Sequence, residues 1–64
     1  MQSFSFKDIN VDDETALKGN SEDEVVEKAL SRLKADHPDK YEDFQTKMSE
    51  EELKGLIRNN IKEE

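Results

Sequence analysis

His37 is the side chain in this 64-residue sequence that is best suited to proton transfer or metal binding. It is the single histidine, and the chain has no cysteine, so thiolate ligands, disulfides and a Cys–His nucleophile pair are excluded. A lone histidine without a nucleophilic partner favours a structural role, and we expect it to pack at a helix end and hydrogen-bond a terminal carbonyl there. The sequence therefore predicts a protein that is not an enzyme, with no catalytic residue, no cofactor and no metal ligand.

An acidic segment imitates the first half of an EF-hand calcium loop. Asp8, Asn10 and Asp12 place side-chain oxygens at the first, third and fifth loop positions. The pattern then fails, because Asp13 occupies the position that needs glycine and Gly19 the position that needs a bidentate glutamate. We interpret the segment as a solvated acidic turn, with weak divalent-ion binding by its aspartates as the alternative.

The N-terminal residues predict a β-hairpin over about residues 3–18. Phe4 and Phe6 alternate with polar residues, as in a half-buried strand, and should share one face. Ile9 and Val11 alternate in the opposite phase. A turn or bulge between the two pairs is therefore needed if all four side chains are to reach one core.

A helix over about residues 22–36 is predicted after the hairpin. Ser21 and Glu24 have the spacing of a capping box, and three acidic residues in the first turn suit the helix dipole. The helix must end near His37, because Pro38 disfavours the helical conformation in the residue before it. Its apolar stripe is formed by Val25, Val26, Ala29, Leu30 and Leu33.

A polar connector over about residues 38–48 and a second amphipathic helix over about residues 50–62 complete the chain. The connector carries Tyr41 and Phe44 and has room for one or two helical turns starting with proline at the first position. Ser49 followed by three glutamates repeats the capping signal. The stripe of this helix is formed by Leu53, Leu56, Ile57 and Ile61.

The predicted fold class is α+β, a two-stranded antiparallel hairpin followed by two amphipathic helices (ββαα), in a single small domain of residues 1–64. An isolated two-stranded sheet is marginal in water, so the helices must cover one face or a second subunit must extend the sheet. A homodimer through an edge strand is therefore a further prediction. The final Glu63–Glu64 pair is unfavourable at a helix C-terminus and is expected to fray.

The tripeptide His37-Pro38-Asp39, preceded by a capped helix that starts at Ser21, resembles the signature of the J-domain co-chaperones. The resemblance covers Ser21 to Lys40 and implies a loop between two antiparallel helices that stimulates a DnaK-type ATPase. The chain departs from that family because its preceding helix is acidic or neutral rather than basic, and its upstream segment predicts strands. A J-like co-chaperone acting through this tripeptide is an alternative hypothesis.

The stretch FSFKDINVDD, the following KG, the helix start SEDEVVEKA and the histidine form an ungapped pattern from Phe4 to His37. It resembles a family of short microbial proteins catalogued as domain of unknown function 1059, whose pattern F-x-C-x-D-x-G-x-x-C precedes a K-G, a capped helix and a histidine. Here Phe6 and Asp13 replace the cysteines, and Asn10 replaces the glycine. Of a possible Cys, Cys, His group, the histidine alone remains, so a thiol or soft-metal role is not expected, and Phe6 should face a core.

The net charge limits the kinds of partner that are expected. Seventeen acidic and ten basic residues give a net charge of −7, which disfavours direct nucleic-acid binding and anionic membranes. No targeting or membrane-spanning pattern is evident, so a cytoplasmic location is expected. The leading hypothesis is a small non-enzymatic binding or adaptor protein with an acidic surface and an unidentified protein partner. An acidic mimic of nucleic acid that binds a basic protein is a second alternative.

The candidate interaction residues are His37, Asp39, Tyr41 and Phe44. With Met48, the two aromatic residues lie at i, i+3 and i+7 and would form one stripe on a helix. The stripe either faces a partner or packs on the core. Because the chain has few large apolar side chains, core packing is the favoured interpretation.

Overall fold

The computed structural model describes residues 1–63 and has an α+β architecture, which confirms the predicted fold class. In an antiparallel sheet of order β2-β1-β3, the strand β1 is central. The predicted ββαα order is not confirmed, because strands lie at both ends of the described chain and a further helix is present. The elements are β1 (Gln2–Ser5), β2 (Ala16–Gly19), α1 (Glu22–Asp36), α2 (Pro38–Lys47), α3 (Glu50–Asn59) and β3 (Lys62–Glu63).

A 3₁₀ turn over Phe6–Ile9 follows β1. The acidic loop, residues 10–15, connects this turn to β2. The turn provides the predicted change of phase, because it brings Ile9 and Val11 into the core that already holds Phe4 and Phe6. The turn ends at Asn10, whose φ of 65° and ψ of 28° are left-handed. Asparagine tolerates this conformation better than most residues other than glycine.

Serine side chains cap α1 and α3, as their sequence signals predict. The Ser21 hydroxyl accepts from the amide of Glu24 at 3.2 Å, while the Glu24 carboxylate accepts from the amide of Asn20 instead of that of Ser21. At α3 the capping box is complete, with Ser49 and Glu52 each accepting from the other's amide at 3.2 Å. These contacts satisfy amides that have no partner within the helix.

The predicted connector over residues 38–48 is instead a ten-residue helix, α2, for nearly all of its length. Pro38 occupies its first turn, where the missing amide costs nothing. None of its residues is fully buried. The sequence of this segment is too polar to predict the whole helix. The helix forms because Tyr41 and Phe44, with Met48 directly after it, pack against the core.

The last helix is shorter than the predicted range of residues 50–62. It ends at Asn59, because the Asn60 side-chain amide donates to the Leu56 carbonyl at 2.8 Å and competes with further helical turns. Lys62 and Glu63 then pair with β1. Fraying was predicted for Glu63, which lies in β3, and for Glu64, which lies outside the described residues.

The packing of α1 against α3 is antiparallel and is marked by an ion pair at each end. Lys34 lies 3.4 Å from Glu50 at one end, and Arg58 lies 2.6 Å from Asp23 at the other. The two ends of α2 therefore both lie near the C-terminal end of α1. The core is formed by Phe4, Phe6, Ile9, Val11, Val25, Val26, Ala29, Leu30, Leu33, Leu53 and Ile57.

The edge strand β2 is partly protected on the side of α1. Lys28 Nζ donates to the Lys18 carbonyl of this strand at 2.8 Å. Lysine at a sheet edge is a common device against unwanted strand pairing. The edge-strand homodimer stays a prediction. No helix within residues 1–63 has the length and apolar character needed to cross a membrane.

Replacing Asn10 by valine should lower the free energy of unfolding by about 1–2 kcal/mol, because a β-branched residue is strained in the left-handed conformation. Replacing it by glycine should change the free energy by less than about 1 kcal/mol, since relief of strain is opposed by the greater freedom of the unfolded chain. Urea unfolding of the two variants checks this. Equal stability of Asn10→Val and the unaltered protein would contradict it.

Candidate functional site

A short hydrogen bond between Asp13 and His37 joins the acidic loop to the junction of α1 and α2. His37 Nε2 lies 2.8 Å from Asp13 Oδ2. The exposed fractions of the two side chains are 24% and 13%, so the contact is largely shielded from water. It links residues far apart in sequence and fixes the position of the loop relative to the helices.

The carboxylate of Asp13 has further partners in the loop and on α1. Its Oδ1 accepts from the Thr15 amide at 2.8 Å, which closes a local turn. Arg32 Nε lies 3.5 Å from Oδ2, and the same guanidinium donates to the Thr15 hydroxyl at 3.2 Å and pairs with Asp36. We call Asp13, Thr15, Arg32 and His37 the loop-junction cluster.

Hydrogen bonds and charge hold the pKa of Asp13 well below its usual range. The His37 contact is the largest cause, followed by the hydroxyl and amide of Thr15 and then by the positive charge of Arg32. Asp13 is therefore an ionised carboxylate at neutral pH, and an ionised carboxylate only accepts hydrogen bonds. The hydrogen in its contact with the imidazole must then be on Nε2 of His37.

The prediction that α1 ends near His37 is confirmed, and the prediction that the His37 side chain hydrogen-bonds a terminal carbonyl is wrong. The His37 amide donates to the Leu33 carbonyl at 2.9 Å and so ends α1. The imidazole does not bond a terminal carbonyl. It reaches Asp13 and meets the Phe6 ring edge-on, with 6.1 Å between ring centroids.

Positions 6, 13 and 37, which the pattern of the resembled family groups together, are close in space. Phe6 and Asp13, which stand where the resembled family has cysteine, both contact His37. Asn10, which stands where that family has glycine, adopts the left-handed conformation that glycine favours. In this chain positions 6, 13 and 37 cannot bind a soft metal as a Cys, Cys, His site would, because Phe6 has no ligand atom and is fully buried in the core.

The cluster has one feature of general-base sites, a histidine oriented by a carboxylate. No hydroxyl among the described residues hydrogen-bonds His37, so the nucleophile of such a site is missing from its contacts. Within residues 1–63, no group of three His, Asp or Glu side chains has a geometry that could hold a metal ion. What the cluster demonstrably does is join the loop to the helix junction.

The other candidate residues lie on α2. Asp39 is exposed in its first turn. Tyr41 is half-buried, donates its hydroxyl hydrogen to Glu50 at 3.2 Å and lies with its ring 5.1 Å from Lys34 Nζ. The Tyr41 hydroxyl, followed by Lys34, lowers the pKa of Glu50. Phe44 is half-buried against the core. Within residues 1–63, the side chains of Asp39, Tyr41 and Phe44 form no hydrogen bond or ion pair with the loop-junction cluster.

No sequence pattern indicates a role for Thr15 or Arg32. Asp13 fails as a calcium-loop position, but it also replaces a cysteine of the resembled family. That replacement is the sequence signal for the site, because the family pattern groups residue 13 with His37. Comparison with family models, with curated proteins and with solved structures finds no match for this chain. The resemblance to domain of unknown function 1059 therefore stays a prediction.

Replacing Asp13 by asparagine should lower stability at neutral pH and flatten its acid dependence. The folded-state pKa of Asp13 is depressed, so its ionisation stabilises the fold above the unfolded pKa of about 4, and this contribution is lost progressively as pH falls below about 4. The variant lacks that contribution at every pH. Urea unfolding followed from neutral to acid pH measures the difference.

Asp12→Asn is the matched control, because Asp12 is an exposed neighbour of the same type. It should keep the acid dependence of the unaltered protein. Identical pH profiles for Asp13→Asn and Asp12→Asn would show that the loop-junction cluster does not stabilise the fold.

Proposed function

We propose that the protein is a small non-enzymatic binding module that engages a basic protein through carboxylates on the exposed faces of its three helices. The single observation that carries the proposal is the distribution of ion pairs. Six of the ten lysine and arginine side chains pair with acids of the same chain within residues 1–63, while several exposed carboxylates form no ion pair there.

Within residues 1–63, six lysine and arginine side chains each lie within 4.0 Å of a carboxylate. These pairs are mostly exposed, so each contributes little to stability, but together they neutralise the positive charges locally. A partner therefore meets six of the ten cations with a carboxylate already beside them. The six are Lys7, Lys28, Arg32, Lys34, Lys47 and Arg58.

Carboxylates outnumber the lysine and arginine side chains of the chain, which gives a net charge of −7. Exposed acids that form no ion pair within residues 1–63 occur on every helix and in the acidic loop. Opposite charge attracts a basic partner over about a Debye length, roughly 10 Å at 0.1 M salt. These acids are Asp8, Asp12, Glu27, Asp39, Glu42, Glu51, Glu52 and Glu63.

An acidic mimic of nucleic acid is a special case of such a module, in which the basic partner is itself a DNA-binding protein. Competition by added DNA distinguishes that case. The J-like alternative differs, because it requires the imidazole of His37 to contact a chaperone. That imidazole is engaged by Asp13, so the acidic module is the better supported proposal.

Affinity capture of the tagged protein from its native extract tests the proposal against a charge variant. The variant Glu27→Gln/Glu42→Gln/Glu51→Gln removes one unpaired charge from each helix and should weaken capture of basic partners by about five- to tenfold at low salt. The matched control Ser31→Ala/Gln45→Ala/Asn59→Ala changes one exposed uncharged position on each helix and should retain capture. Raising salt to about 0.5 M should release the partners, since it shortens the screening length.

Partners that are not basic, or that bind the charge variant as well as the unaltered protein, would contradict the proposal. Recovery of a DnaK-type chaperone that is lost on His37→Gln would replace it with the J-like function. Turnover of a defined substrate that is lost on the same substitution would show that the protein is an enzyme.

A further inference from the structure

The helix α2 differs from its neighbours in how little it buries. Fully buried side chains come from α1 (five) and α3 (two), and none from α2. Its apolar contacts to the core are made by Tyr41 and Phe44, and Met48 packs there directly after the helix; all three are half-buried. Every member of the eleven-residue core lies outside α2, so a movement of this helix displaces no core side chain.

The start of α2 also lacks a side-chain cap. The N-cap residue is His37, which makes no capping hydrogen bond because its imidazole is bound to Asp13. In contrast, Ser21 and Ser49 cap the other two helices. An isolated helix shorter than about 12–15 residues is marginal in water, so α2, with ten residues, depends on its docking contacts.

The polar contacts that hold α2 in place are exposed. Tyr41 bonds Glu50 at 3.2 Å, and Lys34 lies over the Tyr41 ring and 3.4 Å from Glu50. Exposed contacts of this kind contribute little. Both ends of α2 are anchored near the same end of the α1–α3 pair, so the segment can move away without displacing either of those helices.

We infer that α2 is a strap that opens as a unit about His37 and Met48, while the sheet, α1 and α3 stay folded. Opening exposes Tyr41 and Phe44, together with the apolar surface that they cover.

Native-state hydrogen exchange with a core variant tests the strap. Val25 is fully buried near the N-terminal end of α1, where its side chain packs close to Gly19 and away from both ends of α2. Val25→Ala should accelerate amides of α1 that exchange by global unfolding by about tenfold or more. Amides of α2 should change by less than about twofold, because opening the strap leaves the Val25 contacts intact.

In the unaltered protein, amides from Tyr41 to Lys47 should exchange at least about tenfold faster than the slowest amides of α1. If α2 opens only with the whole protein, both helices have similar protection and Val25→Ala accelerates them by the same factor, which would overturn the inference. Should Val25→Ala fail to fold, Leu17→Ala on β2 serves instead, since Leu17 is half-buried and its loss is milder.

Discussion

The scarcity of buried apolar side chains constrains every element of this protein. Eleven residues form the core, and the chain supplies them from β1, the 3₁₀ turn, the acidic loop, α1 and α3. Because the supply is small, the segment between β1 and β2 cannot be a free connection: Ile9 of the 3₁₀ turn and Val11 of the acidic loop must both reach the core. Asp13 holds that loop in place through His37, Thr15 and Arg32, so a polar cluster at the surface keeps two apolar side chains inside.

Local signals predicted the parts of the fold that local interactions determine. The capping serines gave the starts of α1 and α3, and the proline after His37 gave the end of α1. The helix α2 and the strand β3 were missed because they depend on distant partners. The polar segment of residues 38–47 becomes a helix because its half-buried aromatic side chains pack against the core. The strand β3 forms because it pairs with β1, which lies at the opposite end of the sequence.

The candidate site was only partly predictable, for a related reason. His37 was identified because it is the single histidine, whereas its partner is one of seventeen acidic residues. Periodicity placed the imidazole at a helix end, and it could not show that a loop carboxylate lies 2.8 Å from it. The family-like spacing of residues 6, 13 and 37 was the one sequence signal that joined the loop to the helix junction. The contacts of Thr15 and Arg32 had no comparable signal.

The central position of β1 has a consequence for the folding kinetics. Gln2 pairs with Gly19 on one side and with Glu63 on the other, so the two neighbours of this strand come from opposite ends of the sequence. Closing a long chain segment costs entropy, which favours the nearer pairing with β2 early in folding. The antiparallel packing of α1 and α3 then brings residues 62 and 63 back to β1. We therefore expect β3 to join the sheet late. The large sequence separation between β1 and β3 then limits the rate at which the sheet is completed.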